Sequence, residues 1–512
     1  MKFRNFAALL AVGLLTASNV AAAPLRQAQI ESGRIEGVAD SSVSAFLGIP
    51  YAASTAGVGR WRAPQHPPWW TGTRPTDHYG ADCIQSPPYV PPGGSPWTAE
   101  FHASGPTSED CLFLNVWTPA TTVDARLPVM VWIHGGGFAG GSGAIPIYRG
   151  AALAARGVVV VTINYRLGVF GFLAHPGLTD EAGSSGNYGL MDQVAALEWI
   201  RTNIAALGGD PARVTIAGQS AGAASVHALL AAPAARGLFI RAIAESDSGM
   251  GLPMPDRREA EALGERVAKA AGVSSANALR ALPTDKLVAA ADGLRFLPIR
   301  ESRFLPSPDA ERLDIPVLTG LTADETSTGG DDWNTSDAAG LKALLRARFG
   351  EQADRFARFY AGDSSTTIRD SARTLLRDRA VAAMIFWNGA RPEGAAPVFA
   401  YLFTHVEPGP NATRFGAFHS SEIPYVFDAL DVGGRPFTAL DHQLAEQLGG
   451  YWSNFVKTGD PNGTALPRWP SFADGDVMME FGVPPHPVAT LTAEKRDAYR
   501  RYVASGGHLG LF

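Results

Sequence analysis

Cysteine is almost absent: the chain has two in 512 residues. That scarcity excludes a disulfide-stapled scaffold, and without clustered histidines it leaves no credible metal site. Charge is sparse as well, with 43 Lys and Arg against 49 Asp and Glu and a net of −6. No basic run or interleaved aromatic patch is present, so nucleic acid is not an expected partner. No stretch reaches the roughly 18 uninterrupted apolar residues of a membrane-spanning helix. Internal repeats and a clean interdomain linker are missing too, although the length alone would suggest about three domains.

What is present begins with a leader. Lys2 and Arg4 precede the apolar run Phe6–Leu15 and the small residues Val20-Ala21-Ala22-Ala23, the pattern of a secretory signal. Pro24 disfavours cleavage just before itself, so residues 1–22 are expected to be removed. Residues 23–512 then form one large secreted or periplasmic domain with helical insertions. In an oxidising compartment Cys83 and Cys111 are free to bond, which would stabilise the fold by about 3–4 kcal/mol on the chain-entropy model. Two buried thiols are the alternative.

Gln29–Pro50 alternates like small antiparallel strands. Tyr51–Pro106 is dense in Pro, Gly and Trp and lacks periodicity, so it reads as a long ordered loop shaping a functional surface. Further strands are expected at Cys111–Trp117, Leu127–Ile133, Val158–Ile163, Val214–Ala217, Phe239–Glu245, Ile315–Gly320 and Pro397–Phe403. Helices are expected at Ala151–Arg156, Leu190–Ile204, Arg257–Ala271 and Thr335–Phe359. Several of the strands are apolar on both faces, as in a buried parallel sheet. The alternation predicts an α/β architecture: a large, mostly parallel sheet flanked by helices.

The strand Val214–Ala217 breaks at Gly218-Gln219-Ser220-Ala221-Gly222 and continues as an Ala-rich helix. A G-x-S-x-G match alone is weak in so glycine-rich a chain. Strand, flanked serine and helix together are what a nucleophile elbow requires, because only glycine fits beside so tight a turn. A serine nucleophile also needs a base, an acid behind the base and donors for an oxyanion. His134-Gly135-Gly136-Gly137-Phe138, directly after a strand, leaves backbone N–H groups uncovered and is the candidate for those donors. A phosphate cradle is excluded, since no G-K-[ST] follows.

The segments Glu109–Val116, His134–Phe138, Asn164-Tyr165-Arg166, Gly186–Gln193 and the elbow occur in an order and at separations that resemble the type-B carboxylesterase/cholinesterase family of α/β-hydrolases. The resemblance covers nearly the whole chain after the leader. It implies an α/β-hydrolase fold and a cofactor-free serine esterase acting on a small-molecule ester. By position it assigns Ser220 as nucleophile, Gly136, Gly137 and Ala221 as oxyanion donors, Glu325 as the acid and His419 as the base. Asp324 rivals Glu325, and His405 rivals His419. His227, on the elbow helix, reads as a structurally satisfied histidine. The resemblance also pairs Cys83 with Cys111, makes Glu109–Arg166 an ion pair, and gives Ser246 a supporting role behind the acid and base. Gln219 stands where relatives commonly carry glutamate, which removes a negative charge beside the histidine. Trp69, Trp70, Trp97, Phe101, Phe138 and Phe418 either wall an apolar pocket or serve as packing. A catalytically silent binding protein of the same fold, an amidase and a lactonase are the competing functions.

Overall fold

Runs of valine, isoleucine and other apolar residues form the centre of an eleven-stranded sheet. The computed structural model describes residues 23–85, 94–247, 254–301, 304–305, 312–329, 331–473 and 475–510. The leader expected at 1–22 lies outside them. In chain order the sheet strands are β1 (Val38–Asp40), β2 (Val43–Pro50), β3 (Phe113–Thr118), β4 (Leu127–Ile133), β5 (Val159–Ile163) and β6 (Gly209–Gln219). They continue as β7 (Arg241–Glu245), β8 (Val317–Thr322), β9 (Val398–Phe403), β10 (Val477–Phe481) and β11 (His486–Ala489). Their spatial order is β11-β10-β9-β8-β7-β6-β4-β5-β3-β2-β1. From β5 through β10 every neighbouring pair is parallel, and both edges are antiparallel. A separate small sheet joins Gln27–Ile30, Gly33–Glu36 and Thr73–Pro75.

The central strands are buried along almost their full length, as parallel strands covered on both faces must be. Helices flank them, among them α1 (Tyr188–Asn203), α2 (Ala221–Ala231), α3 (Arg257–Ala270), α4 (Ser365–Gly389), α5 (Ala439–Thr458) and α6 (Ala493–Ala504). From β4 to β5 the chain steps one way across the sheet. Between β5 and β6 it passes through α1 and steps back beyond β4. The carboxyl ends of β4 and β6, paired at Ile133 and Gly218, therefore lie side by side at a topological switch point. Ligands of open α/β sheets lodge at such crevices.

Two local expectations need correction. The 335–359 segment is not one helix: Ala338–Phe349 ends at Gly350, whose φ of +55° turns the chain before a short helix at Ala353–Ala357. Arg166 does not pair with Glu109. Its guanidinium meets the fully buried Asp192 through two bonds of 2.8 and 2.7 Å, and the same carboxylate accepts the Arg166 N–H. Glu109 instead takes two bonds from Arg60, at 2.8 and 2.5 Å, and one from Thr284. Asp192 sits on α1 directly beside Arg166, and that proximity decides the exchange of partners.

The Tyr51–Pro106 region carries only short elements, and Cys83 is bonded to Cys111 across 28 residues. Replacing both cysteines by alanine should lower unfolding free energy by about 3–4 kcal/mol on the chain-entropy model. Urea unfolding of the two proteins checks this, and equal midpoints would contradict it.

Candidate active site

The elbow forms because two glycines allow a close approach no other residue permits. A Cβ on Gly222 would lie 1.9 Å from the carbonyl oxygen of Ile133, and one on Gly218 would lie 2.6 Å from the Gly222 backbone. Helix α2 is thereby pressed onto the end of β4. Between the glycines, Ser220 takes φ +57° and ψ −121°, strained for a residue with a side chain. Its N–H is held by the Glu245 carbonyl at the end of β7, 2.9 Å away.

The glycine loop after β4 touches this elbow. A Cβ on Gly135 would meet the Gln219 carbonyl at 2.8 Å and the Ser220 side chain at 3.1 Å. Two internal contacts orient its peptides. The buried His134 places Nδ1 2.8 Å from the Gly135 oxygen, and the Gly136 oxygen accepts from Ala139 and Gly140 at 3.0 Å each. A trans peptide points its N–H opposite its C=O. Holding these two carbonyls therefore aims the N–H groups of Gly136 and Gly137 away from the loop. Among the described residues no acceptor meets the N–H of Gly136, Gly137 or Ala221. Gly137 borders open space. Burial pushes the pKa of His134 down to about 4, so its ring stays neutral with Nδ1–H as donor, stacked on Tyr165.

Glu325 and His419 come from the segments after β8 and β9, on the other side of β6 from the glycine loop. Asp324 and Glu325 follow β8, and Glu325 accepts the Thr322 N–H at 2.7 Å while its second oxygen takes His419 Nδ1 at 2.5 Å. Asp324, the rival acid, has a different task. Its carboxylate accepts the Ala417 N–H at 2.8 Å, its own N–H bonds the Ala417 carbonyl, and Arg377 stands 3.7 Å away. Asp324 thus ties the histidine loop to the end of β8. Trp97 holds the same loop from the opposite direction, its indole N–H donating to the His419 carbonyl at 3.0 Å.

With Nδ1–H given to Glu325, His419 Nε2 is an acceptor, and the Gln219 side-chain amide lies on it at 3.1 Å. Burial alone would depress the His419 pKa. The adjacent Glu325 charge and hydrogen bond, with Glu422 adding, leave it above the ordinary histidine value. Behind the histidine, Ser246 and Tyr401 both donate to one oxygen of the fully buried Glu422 at 3.2 Å. Burial, then the Glu325 charge, raise Glu422 to about 7. Glu245, bonded by Trp452 at 2.7 Å, is pushed well above the carboxylate range by burial and by Glu422.

The remaining candidates fall elsewhere. His405 bonds Asp441 at 2.7 Å. His227 is packed edge-on against Trp387, and among the described residues neither ring nitrogen has a hydrogen-bond partner. Phe138 is 1% exposed against Phe172, and Phe418 is 2% exposed against Phe101; both serve as packing. Trp69 is 78% exposed, and Trp70 donates to the Arg34 carbonyl.

The carboxylesterase family model matches residues 24–499. Among curated proteins, fumonisin B1 esterase of Sphingopyxis macrogoltabida is 37% identical, covering 88% of this chain and 85% of its own. Phenmedipham hydrolase of Pseudarthrobacter oxydans is 36% identical, covering 89% and 94%. A solved carboxylesterase of Geobacillus stearothermophilus superposes with a TM-score of 0.79 at 34% identity, covering 93% of this chain and all of that one.

The electrostatics predict how His419 titrates when followed by NMR. Its midpoint should lie above the ordinary value of 6.5. Gln219→Glu places a negative charge beside Nε2 and should raise the midpoint by about one unit, whereas Glu422→Gln should lower it. A midpoint indifferent to both changes would show that these side chains do not set the charge at the imidazole.

Proposed function

The chain belongs to the carboxylesterase family and is a carboxylic ester hydrolase, and we propose that it works as an exported serine esterase through an acyl-enzyme on Ser220. One observation carries the reading. A strained serine stands beside a glycine loop, with three N–H groups that meet no acceptor among the described residues, and His419, anchored by Glu325, reaches the side chain of Gln219, the residue before that serine. Geometry of this kind is how a serine hydroxyl is activated on unrelated folds.

Ser220 Oγ attacks the ester carbonyl carbon while its proton passes to His419 Nε2, from which the Gln219 amide withdraws as the serine hydroxyl takes its place. Charge moves onto the carbonyl oxygen, which takes hydrogen bonds from Gly136, Gly137 and Ala221. Collapse re-forms the C=O, breaks the bond to the alcohol oxygen, and returns the proton from His419 to that leaving oxygen. Water then repeats the sequence on the acyl-enzyme, releasing the acid and restoring Ser220. Glu325 holds the imidazole with Nδ1–H outward and offsets the positive charge that forms. The Cys83–Cys111 bond supports export into an oxidising compartment after loss of a 1–22 leader.

Hydrolysis of p-nitrophenyl acetate, butyrate and decanoate by the chain and by Ser220→Ala tests the reading. Turnover should fall by about 10³-fold or more in the variant. Equal rates would remove Ser220 as nucleophile. The kcat/KM of the wild type should also fall as pH drops through the raised pKa of His419, because only the neutral ring accepts a proton. A rate flat between pH 5 and 9, a window of about four units around ordinary histidine, would exclude His419 as the base.

A further inference from the structure

The donors for the oxyanion lie on a loop of glycines, and glycine has little intrinsic preference for any one backbone conformation. Something outside the loop must restrict it. Gly136 is pressed against Gly140, since a Cβ there would meet the Gly140 oxygen at 2.1 Å. Gly141, with φ +113°, lies against the His134 ring, where a Cβ would be 2.3 Å from Nδ1. The far end of the loop is therefore packed on the groups that aim the Gly136 and Gly137 N–H bonds.

Asn164 accepts from Ser142 and from the Gly143 N–H, and Thr162 donates to the Gly143 carbonyl, so the chain just past that end is fixed to the sheet. At Gly141 itself the grip comes from one side chain. Gln85 Nε2 donates to the Gly141 carbonyl at 2.9 Å, and the Gly141 N–H donates to Gln85 Oε1 at 2.8 Å. The amide nitrogen also donates to the Cys83 carbonyl at 3.1 Å. Both N–H bonds and the oxygen of the carboxamide are thus committed. Cys83 in turn is bonded to Cys111, immediately before β3. A covalent link, then one carboxamide, connect the sheet to the glycine loop.

We propose that Gln85 is a positioning residue for the oxyanion hole, fixing Gly141 so that the N–H groups of Gly136 and Gly137 are already aimed when negative charge develops. The proposal rests on the serine-esterase reading. Gln85 does not touch the reacting atoms; it acts through the loop. Its effect falls on the transition state more than on the bound ester, because a neutral carbonyl draws much less from misaligned donors than an oxyanion does.

Gln85→Leu removes both bonds to Gly141, and Gln85→Glu keeps the acceptor while setting a carboxylate oxygen against the Gly141 carbonyl. Each is assayed with p-nitrophenyl butyrate per site titrated by a phosphonylating inhibitor, so that unfolded protein does not count. A trifluoromethyl ketone, whose serine adduct carries an oxyanion, is the second probe. The kcat should fall by about 10- to 100-fold with KM changed less than about threefold, and Ki for the ketone should rise by the factor lost in kcat/KM. Deuterium uptake across residues 134–145 should quicken in both variants. Unchanged kcat per titrated site and unchanged Ki overturn the proposal, as does a loss confined to KM. Should Gln85→Leu not fold, the same two quantities decide on Gln85→Glu. A wild type that neither turns over the ester nor binds the ketone refutes the esterase reading itself, a separate and recognisable failure.

Discussion

Everything at this site depends on one close approach of backbone to backbone, that of Gly222 to the last carbonyl of β4. A methyl group between them would lift α2 from the sheet and separate the elbow from the glycine loop. With hydrogen in its place, the two adjacent strand ends fuse into a single rigid corner. The strain at Ser220 survives because its N–H is bonded to β7 and its neighbours cannot move. The nucleophile and the oxyanion donors are therefore positioned by the same contact.

The second half of the site is set by charge. Three glutamates, Glu325, Glu422 and Glu245, lie buried at or behind His419, and a fourth carboxylate at position 219 would add to a region already costly to ionise. Glutamine at that position keeps a hydrogen bond to Nε2 without a further charge. Burial and the Glu325 charge raise the Glu422 pKa, which favours its neutral form and weakens the negative field behind the imidazole. The fold tolerates this because Ser246, Tyr401 and Trp452 donate to the two rearmost carboxyls.

The sheet was legible because its strands are apolar on both faces: Leu127–Ile133 was read to the residue. The elbow and the glycine loop were legible because glycine clustering next to a strand has few other causes. Partners across long sequence distances were not. Arg166 has two acidic candidates, Glu109 and Asp192, and only the packing of α1 decides between them. Gln85, Trp97 and Asp324 act through backbone atoms of loops, Gly141, His419 and Ala417, and such contacts leave no pattern in side-chain periodicity. The long helices α4 and α5, the final hairpin β10–β11 and helix α6 lie outside the expected elements, although α4 carries a capping box at Ser364 and Thr367 that marks its start.

The central claim is that Ser220 is a nucleophile made reactive by His419. Peptide mapping by mass spectrometry after brief exposure to diisopropyl fluorophosphate tests it most directly, with the His419→Gln variant alongside. The account predicts one adduct per chain, on Ser220, forming at least about 10³-fold more slowly in the variant. An adduct on another residue, or labelling of Ser220 at equal rates in both proteins, would contradict it.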